Sequence, residues 1–210
     1  MDKLEPKKVG IFGGTFDPPH IGHLRIAEEV RENLSLEKIW FIPAGYPPHK
    51  KEGSYLPFEH RFYMTMLSIK DNPFFEILDI EKNEKPSYSL KTLQKLRKKY
   101  PETEFFFIIG WDSFQQFETW WHYQKFLEYT NIIVVSREKI PFEKAVKIVK
   151  ERSNYFWGKK YTNKVIFLKT TSLDISSTFI RNLCRLGKSI RYLVTEEVYS
   201  YIQKERLYQR

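Results

Sequence analysis

Short apolar runs alternate with longer amphipathic segments along most of this chain, and the alternation restricts the possible fold more than any other feature. The short runs are rich in β-branched and aromatic residues and are bounded by turn-forming residues, which favours strands over buried helix. They predict strands over 9–12, 39–43, 74–80, 105–109, 131–135 and 165–168. The segments between them have helical periodicity and predict helices over 22–33, 58–70, 89–100, 120–128 and 141–152.

This order of elements predicts right-handed βαβ units and an α/β fold, namely a Rossmann-like, doubly wound, mostly parallel sheet with helices on both faces. At 210 residues we expect a single domain over 1–210, with a core over about 8–175 and a small C-terminal helical extension over about 176–210. The sequence pattern of this extension predicts two or three helices, with a break near Gly187. Active-site residues are expected after the carboxyl ends of strands, where the strand order reverses.

The composition excludes several classes of protein. With 41% hydrophobic and 17% aromatic residues, the chain is expected to form a packed core and not a disordered ensemble. No segment has the apolar length that a bilayer requires, and the charged N-terminus leads into a predicted strand and not into a secretory signal. Cys184 is the single cysteine, which excludes an internal disulfide and a cysteine-based zinc site and indicates a cytoplasmic protein.

The formal net charge of +9 leaves nucleic acid, anionic membranes and phosphorylated small molecules as candidate partners. The basic residues are dispersed along helical patterns, as in 95–99 and 147–152, which is typical of a solvated helix face. A nucleic-acid-binding module would require a clustered basic stripe and a known motif, so it is kept only as a remote alternative. We therefore predict no nucleic-acid and no membrane partner, and nothing in the sequence indicates an oligomeric state.

The most informative motif is GGTFDPPHIGH, which directly follows the first predicted strand. Gly13 and Gly14 are expected to let the backbone approach a ligand closely and to adopt dihedral angles closed to other residues. Thr15 can donate a hydrogen bond to a phosphate. The motif is neither the dinucleotide-binding GxGxxG pattern nor a Walker loop, since it lacks the Lys-Ser/Thr pair.

The end of the same motif places two imidazoles near a helix start. Gly22 is expected to open a helix, so that His23 lies in the first turn, where backbone amides and the helix dipole favour an anion. His20 precedes His23 by three residues, which allows both rings to face one phosphate. Few packing partners are expected for His23.

A second motif, ISSTFIR, lies near the C-terminus. Ser176, Ser177 and Thr178 follow Ile175 and lead into a helical pattern, and hydroxyl residues cap helix N-termini that also bind phosphate. Arg181 adds a permanently charged, bidentate group. Alone, the motif is equally compatible with an ordinary cap and a surface arginine. Beside the first motif it indicates a second phosphate contact.

GGTFDPPHIGH resembles the HxGH signature of the nucleotidyltransferase superfamily and, more narrowly, that of bacterial nicotinate-nucleotide adenylyltransferases, while ISSTFIR resembles the superfamily's ISST-x-x-R element. The segment IIGWD also resembles the family's IIGxD element, although Trp111 replaces a smaller or polar residue and is expected to narrow the adenosine site or stack there. The resemblance implies that the catalytic residues are His20, His23 and Arg181. It implies ATP binding by Gly13, Gly14, Thr15, Phe16, Gly22, Gly110, Asp112, Ile175, Ser176, Ser177, Thr178 and Arg181.

Three further segments resemble parts of the family that contact the acceptor: PPHK, PSYS and the tandem tryptophans, which correspond to a Trp-Tyr pair whose ring stacks on a pyridine. Ser89 stands where the family usually has threonine. Without this context, tandem tryptophans are more often core residues. The residues that the resemblance assigns to the acceptor are His49, Lys50, Ser87, Tyr88, Ser89, Trp120 and Trp121.

The resemblance implies transfer of AMP from ATP to nicotinate mononucleotide, which yields deamido-NAD, an intermediate of NAD synthesis, and pyrophosphate. The acceptor phosphate is already anionic, so positioning and charge neutralisation suffice and no side-chain nucleophile is needed. Mg²⁺ is expected to arrive on the ATP phosphates, without a dedicated protein metal site. The alternative within the superfamily is a sibling enzyme that adenylylates phosphopantetheine or cytidylylates an alcohol phosphate.

Overall fold

The computed structural model describes residues 7–136 and 140–209, in which six strands form one sheet. The strands are β1 (Lys8–Gly14), β2 (Lys38–Pro43), β3 (Phe75–Ile77), β4 (Glu104–Gly110), β5 (Asn131–Ser136) and β6 (Val165–Lys169). Their order is β3-β2-β1-β4-β5-β6, and every neighbouring pair is parallel. The predicted Rossmann-like α/β fold is confirmed, and within the described residues its sheet is entirely parallel. The single-domain prediction over 1–210 extends beyond those residues.

Helices cover both faces of this sheet. They are α1 (Ile21–Asn33), α2 (Phe58–Ile69), α3 (Ser89–Lys99), α4 (Trp111–Gln115), α5 (Phe126–Tyr129), α6 (Phe142–Trp157), α7 (Ser177–Arg185) and α8 (Glu196–Lys204). Three short 3₁₀ turns lie at Phe117–Thr119, Tyr123–Lys125 and Lys159–Lys164. The predicted strand over 74–80 is shortened to β3, and the predicted helix over 141–152 extends to Trp157. None of the described helices combines the length and apolar character needed to cross a membrane.

Successive residues of the central strands alternate between two apolar clusters, one on each face of the sheet. In β4, Phe105 and Phe107 belong to the cluster that α3 and α6 cover, whereas Phe106 and Ile108 belong to the cluster that α1 covers. Strands buried on both faces have continuous apolar runs, as β4 does in EFFFIIG. This explains why short, unbroken hydrophobic segments predicted the strands correctly.

The predicted helix over 120–128 is wrong. Trp120 has an extended backbone, and His122 is in the left-handed region with φ 49°, so a continuous helix cannot form there. The segment instead makes two tight turns before α5, and the side chains of Trp120, Tyr123 and Phe126 pack in the same apolar cluster. Packing of the aromatic rings therefore overrides the local helical pattern.

The C-terminal helices pack on α2 and not on the sheet. Met64 of α2 lies in a third apolar cluster with Ile180 of α7 and Val198 of α8. Gly187, with φ 63°, follows the end of α7, in agreement with the predicted break. This extension is also joined to the first motif, because the amide of Ile21 donates to the carbonyl of Leu193 at 2.9 Å.

Candidate active site

A cavity of about 480 Å³ lies at the carboxyl ends of β1 and β4, where the strand order reverses. Parallel α/β sheets bind their ligands at this point. The cavity is lined by Gly13 and Gly14 of the first motif and by every predicted acceptor residue except Lys50. The predicted residues on its wall are Gly13, Gly14, Thr15, His49, Ser87, Tyr88, Ser89, Gly110, Trp120 and Trp121.

Gly13 and Gly14 are the last residues of β1, so the prediction of special dihedral angles for them is wrong. What requires glycine at 14 is the ring of Phe16, because a Cβ atom there would lie 3.0 Å from it. Phe16 itself has a positive φ of 49° and is buried against Phe12 and Phe41. Phe16, which was predicted to contact ATP, thus packs in the apolar core against the backbone of Gly14.

His20 and His23 stack on each other with ring centroids 3.7 Å apart. The backbone amide of His20 donates to Nδ1 of His23 at 3.2 Å. Gly22 makes room for this arrangement, since a Cβ atom there would lie 3.0 Å from Nδ1 of His20. His20 is buried and His23 also contacts the ring of Phe16, so the expectation that His23 has few packing partners is wrong.

The second motif is hydrogen-bonded to the first. Ser176 caps α7 by accepting from the amide of Phe179 at 3.1 Å. Ser177 donates to the carbonyl of Pro18 at 2.8 Å, and Arg181 donates to the carbonyl of Asp17 at 2.7 Å. The N-terminus of α7 and its arginine therefore lie beside the turn that carries the histidine pair.

Ile175 and Thr178 also contribute to the contact between the two motifs. The Cβ of Ile175 lies 4.0 Å from the position of a Cβ on Gly22, at the start of α1. Thr178 accepts a hydrogen bond from Arg181 at 3.1 Å, which orients the guanidinium. The predicted ATP-phosphate residues of both motifs are thus brought together, although they are separated by about 150 residues in the sequence.

Two residues that no sequence motif indicated, Arg61 and Tyr208, hold the first motif in place. Arg61 of α2 is fully buried and donates to the carbonyls of Thr15 at 2.9 Å and Gly45 at 3.1 Å. Burial lowers the pKa of Arg61. The buried carboxylate of Asp17 accepts from the hydroxyl of Tyr208 at 2.7 Å. Burial and the charge of Asp17 raise the pKa of Tyr208.

Aromatic rings form one side of the cavity. Trp121 stacks on Tyr88 with centroids 5.0 Å apart and an interplanar angle of 17°. Trp120 packs on Phe117 and also lines the cavity, near the imidazole of His49 at 6.3 Å between centroids. Flat apolar surfaces of this kind suit a planar ring.

The start of α3 forms another side. The hydroxyl of Ser87 accepts from the amide of Tyr46 at 2.8 Å and donates to the carbonyl of Glu84 at 3.0 Å, which ties two loops together. Ser89 is the first residue of α3. Glu81, which the sequence analysis did not select, also lines the cavity, and burial raises its pKa to about 7.

Lys50 differs from the other acceptor candidates in that it does not line the cavity. It is exposed and absent from the cavity wall. Partial desolvation and the positive charge of Arg181 lower its pKa, while Asp17 opposes the shift. Lys50 therefore lies within electrostatic range of the guanidinium of Arg181.

Gly110, the last residue of β4, is exposed, and it is followed by the buried Trp111 and the exposed Asp112. No heavy atom would lie within 4 Å of a Cβ on Gly110, so the backbone there is open to a ligand. Trp111 packs edge-on against Phe167 at 5.9 Å in the apolar core. The expectation that Trp111 narrows or stacks in the adenosine site is therefore wrong. Across 7–136 and 140–209, no cluster of three His, Cys, Asp or Glu side chains is arranged to hold a metal ion.

Comparison with known proteins identifies the family. The cytidylyltransferase-like family model matches residues 11–183. A Geotalea daltonii protein named "Probable nicotinate-nucleotide adenylyltransferase" is 47% identical over 96% of this chain and 98% of its own length. A Syntrophotalea carbinolica protein of the same name is 42% identical over 96% of this chain and 97% of its own. The chain belongs to the nicotinate-nucleotide adenylyltransferase family.

A solved structure supports the fold of this family member. The structure titled Plasmodium falciparum nicotinic acid mononucleotide adenylyltransferase complexed with NaAD superposes with a TM-score of 0.77 and 19% identity, covering 96% of this chain and 97% of that one. At this identity the similarity concerns the fold alone.

Proposed function

We propose that this protein transfers the AMP moiety of ATP to the phosphate of nicotinate mononucleotide, forming deamido-NAD and releasing pyrophosphate. The observation that carries the proposal is the pair of hydrogen bonds from Ser177 and Arg181 to Pro18 and Asp17. They join two phosphate-binding motifs beside an aromatic cavity, so one site offers a place for a triphosphate and a place for a planar base.

In the proposed reaction, an oxygen of the acceptor phosphate attacks the α-phosphorus of ATP in line. The bond from this phosphorus to the bridging oxygen of the β-phosphate breaks, and pyrophosphate leaves with the electron pair. His20 and His23 stabilise the charge on the α-phosphoryl group, assisted by Thr15. Arg181 and the N-terminus of α7 bind the leaving pyrophosphate. Preorganised donors of this kind lower the barrier without a protein nucleophile.

Adenosine is assigned to the exposed backbone of Gly110 and the carboxylate of Asp112. The nicotinate ring is assigned to the aromatic side of the cavity, with Trp120 and Trp121, and its carboxylate to the start of α3 at Ser89. Helix N-termini favour anions, because their amides and dipole carry partial positive charge. We assign Lys50 to the phosphates of ATP, since its electrostatic neighbour is Arg181.

A family that uses ATP implies a divalent cation, which we propose to be Mg²⁺ bound to the triphosphate. The side chains around the proposed phosphate position fit this arrangement. Arg181 and Lys50 are cationic, and the carboxylate of Asp17 already accepts a hydrogen bond from Tyr208, so we expect the metal on the triphosphate and not on the protein. Mg²⁺ would supply charge neutralisation on the phosphates. We also propose that the chain acts as a single domain in the cytoplasm, without a nucleic-acid or membrane partner.

The proposal is tested by measuring pyrophosphate release from ATP with a panel of acceptors. The panel contains nicotinate mononucleotide, nicotinamide mononucleotide, phosphopantetheine and an alcohol phosphate, with CTP as a second donor. We expect the highest kcat/KM for nicotinate mononucleotide with ATP. Turnover restricted to phosphopantetheine or to CTP would instead identify a sibling activity, and a tight, salt-dependent oligonucleotide complex without turnover would identify a nucleic-acid-binding protein.

A further inference from the structure

Glu81 is a buried acidic residue that lines the cavity. It lies in the connection between β3 and α3, and 5% of its surface is exposed. Thr92, in the first turns of α3, donates to Oε1 of Glu81 at 2.6 Å. The carboxyl group is therefore fixed at the same end of α3 that faces the cavity.

The backbone on both sides of Glu81 is also fixed. A Cβ atom on Gly45 would lie 2.0 Å from the carbonyl oxygen of Glu81, so only glycine allows the loop after β2 to pack this closely. The amide of Tyr46 donates to Ser87 in the same contact. Glu81 consequently has little freedom to turn away when a ligand enters.

The charges around Glu81 do not neutralise it. Lys95 of α3 is the cation that acts on the carboxyl group, but Lys95 forms its ion pair with Glu84. The charged side chains that act on Glu81 are Glu84 and Lys95. The other titratable side chains on the adjoining loops and the cavity wall are Tyr46, His49 and Tyr88. Burial without a paired cation raises the pKa of Glu81 to about 7, so the group changes charge near neutral pH.

This position matters for the two pyridine nucleotides, which differ only in the ring substituent. Nicotinate carries a carboxylate where nicotinamide carries a neutral amide. A second carboxylate entering a cavity whose wall already carries an ionised one is strongly disfavoured in a poorly solvated space. Nicotinamide meets no such repulsion.

We propose that Glu81 must be neutral for nicotinate mononucleotide to occupy the cavity, so that this side chain determines how the preference for nicotinate over nicotinamide varies with pH. The proposal rests on the proposed function and adds a specificity-determining residue to it. Binding of nicotinate above neutral pH then takes up one proton from solvent, which is held on the carboxyl group of Glu81. Binding of nicotinamide does not.

The primary measurement is the ratio of kcat/KM for nicotinate to that for nicotinamide mononucleotide between pH 6 and 9. The ratio cancels every titration that affects both acceptors equally, including that of the shared phosphate and of ATP. We expect a constant ratio below about pH 7 and a fall approaching tenfold per pH unit above it, since only the neutral fraction binds nicotinate. A ratio that stays flat over this range overturns the proposal.

Three substitutions identify the group responsible. Glu81→Gln keeps the shape and the hydrogen bond from Thr92 but cannot ionise, and it is expected to abolish the fall in the ratio. Glu84→Gln, which removes the neighbouring carboxylate, is the matched control and is expected to keep the fall. His49→Gln removes the imidazole on the cavity wall, and this variant is also expected to keep the fall in the ratio. Loss of the fall in His49→Gln, or its persistence in Glu81→Gln, overturns the proposal.

A second measurement on the wild-type protein does not depend on how the variants fold. Calorimetric titration at pH 8 in two buffers with different ionisation heats counts the protons taken up on binding. We expect nicotinate mononucleotide to take up close to one proton more than nicotinamide mononucleotide, and equal uptake contradicts the proposal. Failure of the proposed function gives a different result, namely no pyrophosphate release with either acceptor.

Discussion

The backbone amide of His20 donates to Nδ1 of His23 at 3.2 Å, while the two imidazole rings stack. An Nδ1 atom that accepts a hydrogen bond carries no proton, so the proton of the neutral His23 ring is on Nε2. The hydrogen bond therefore fixes both the tautomer and the ring orientation. It also satisfies an amide at the start of α1 that has no partner within the helix. His23 thus has a structural role besides the catalytic role proposed for it.

These two roles are separable by substitution. His23→Asn retains an acceptor near the Nδ1 position but loses the Nε2 donor, so we expect kcat to fall by about 10²–10³ with a nearly unchanged Tm. His23→Ala loses both groups, and we expect the same fall in kcat with an additional destabilisation of about 1 kcal/mol. Initial rates and thermal melts on the same preparations distinguish the variants. Near-wild-type turnover in a folded His23→Asn protein would exclude a catalytic role for His23.

We expect the role of Arg181 in catalysis to depend on the planar guanidinium group and not only on its positive charge. It donates to the carbonyl of Asp17 at 2.7 Å and to the hydroxyl of Thr178 at 3.1 Å, which directs the group toward the proposed pyrophosphate position. Lysine cannot reproduce this planar geometry. We expect Arg181→Lys to lower kcat/KM for ATP by about 10- to 100-fold, the equivalent of one or two charged hydrogen bonds. Arg185→Lys, on the exposed side of α7, is the control, and equal losses in both variants would contradict a specific role for Arg181.

The motif around Lys50 predicted a contact with the acceptor. Among the charged side chains, however, Arg181 has the largest effect on the pKa of Lys50. An anion between two cations is favoured by both, so we expect Lys50→Ala to raise KM for ATP by about two- to fivefold, as for an exposed ion pair. KM for nicotinate mononucleotide should change less. Lys51→Ala is the control, since Lys51 is an exposed neighbour with the same charge. A larger effect on the acceptor KM would restore the assignment made from the sequence.

The sequence predicted the sheet because its strands are buried on both faces. Runs such as FFFII in β4 have a single reasonable interpretation once turn-forming residues bound them. The α4 helix, Trp111–Gln115, was missed because it is too short to display a periodic pattern. The turns around His122 were missed because the preference of the aromatic rings for the core, and not the local backbone propensity, determines the chain path there.

The motifs predicted which residues meet at the proposed phosphate site, but not what holds them there. Arg61 lies in the first turns of α2 beside other polar residues, and nothing in that pattern predicts that it is fully buried and bonded to the first motif. Asp17 and Tyr208 are separated by 191 residues, and no pattern in either segment predicts their contact. The environment of Glu81 likewise depends on Gly45 and Thr92, which come from different elements. Contacts of this kind arise from the tertiary structure alone.

The hydrogen bond between Tyr208 and Asp17 is expected to stabilise the C-terminal extension on the first motif. Tyr208→Phe leaves a buried carboxylate without one of its donors, at a cost of about 1–3 kcal/mol. At about 2–4 °C per kcal/mol for a chain of this size, Tm should fall by several degrees. Tyr192→Phe is the matched control, because Tyr192 is 88% exposed. Equal melting temperatures for the two variants would show that the bond does not stabilise the fold.

Glu81 should make the stability of the wild-type protein fall as pH rises from about 5 to 7. Folding raises the pKa of Glu81 from its usual value of 4.5 to about 7, mainly through burial. Between these values the folded state binds a proton that the unfolded state has released, so this contribution to stability is complete below the unfolded pKa and is lost as pH rises to the folded one. A shift of this size corresponds to about 3 kcal/mol.

Glu81→Gln cannot titrate, and its free energy of unfolding should therefore increase relative to wild type by about 3 kcal/mol between pH 4.5 and 7.5. Urea unfolding of both proteins at several pH values measures this difference, in which the titration of all other groups cancels. Glu84→Gln is the control, because Glu84 is paired with Lys95 and should show no comparable increase. A difference between Glu81→Gln and wild type that is independent of pH would mean that folding does not raise the pKa of Glu81.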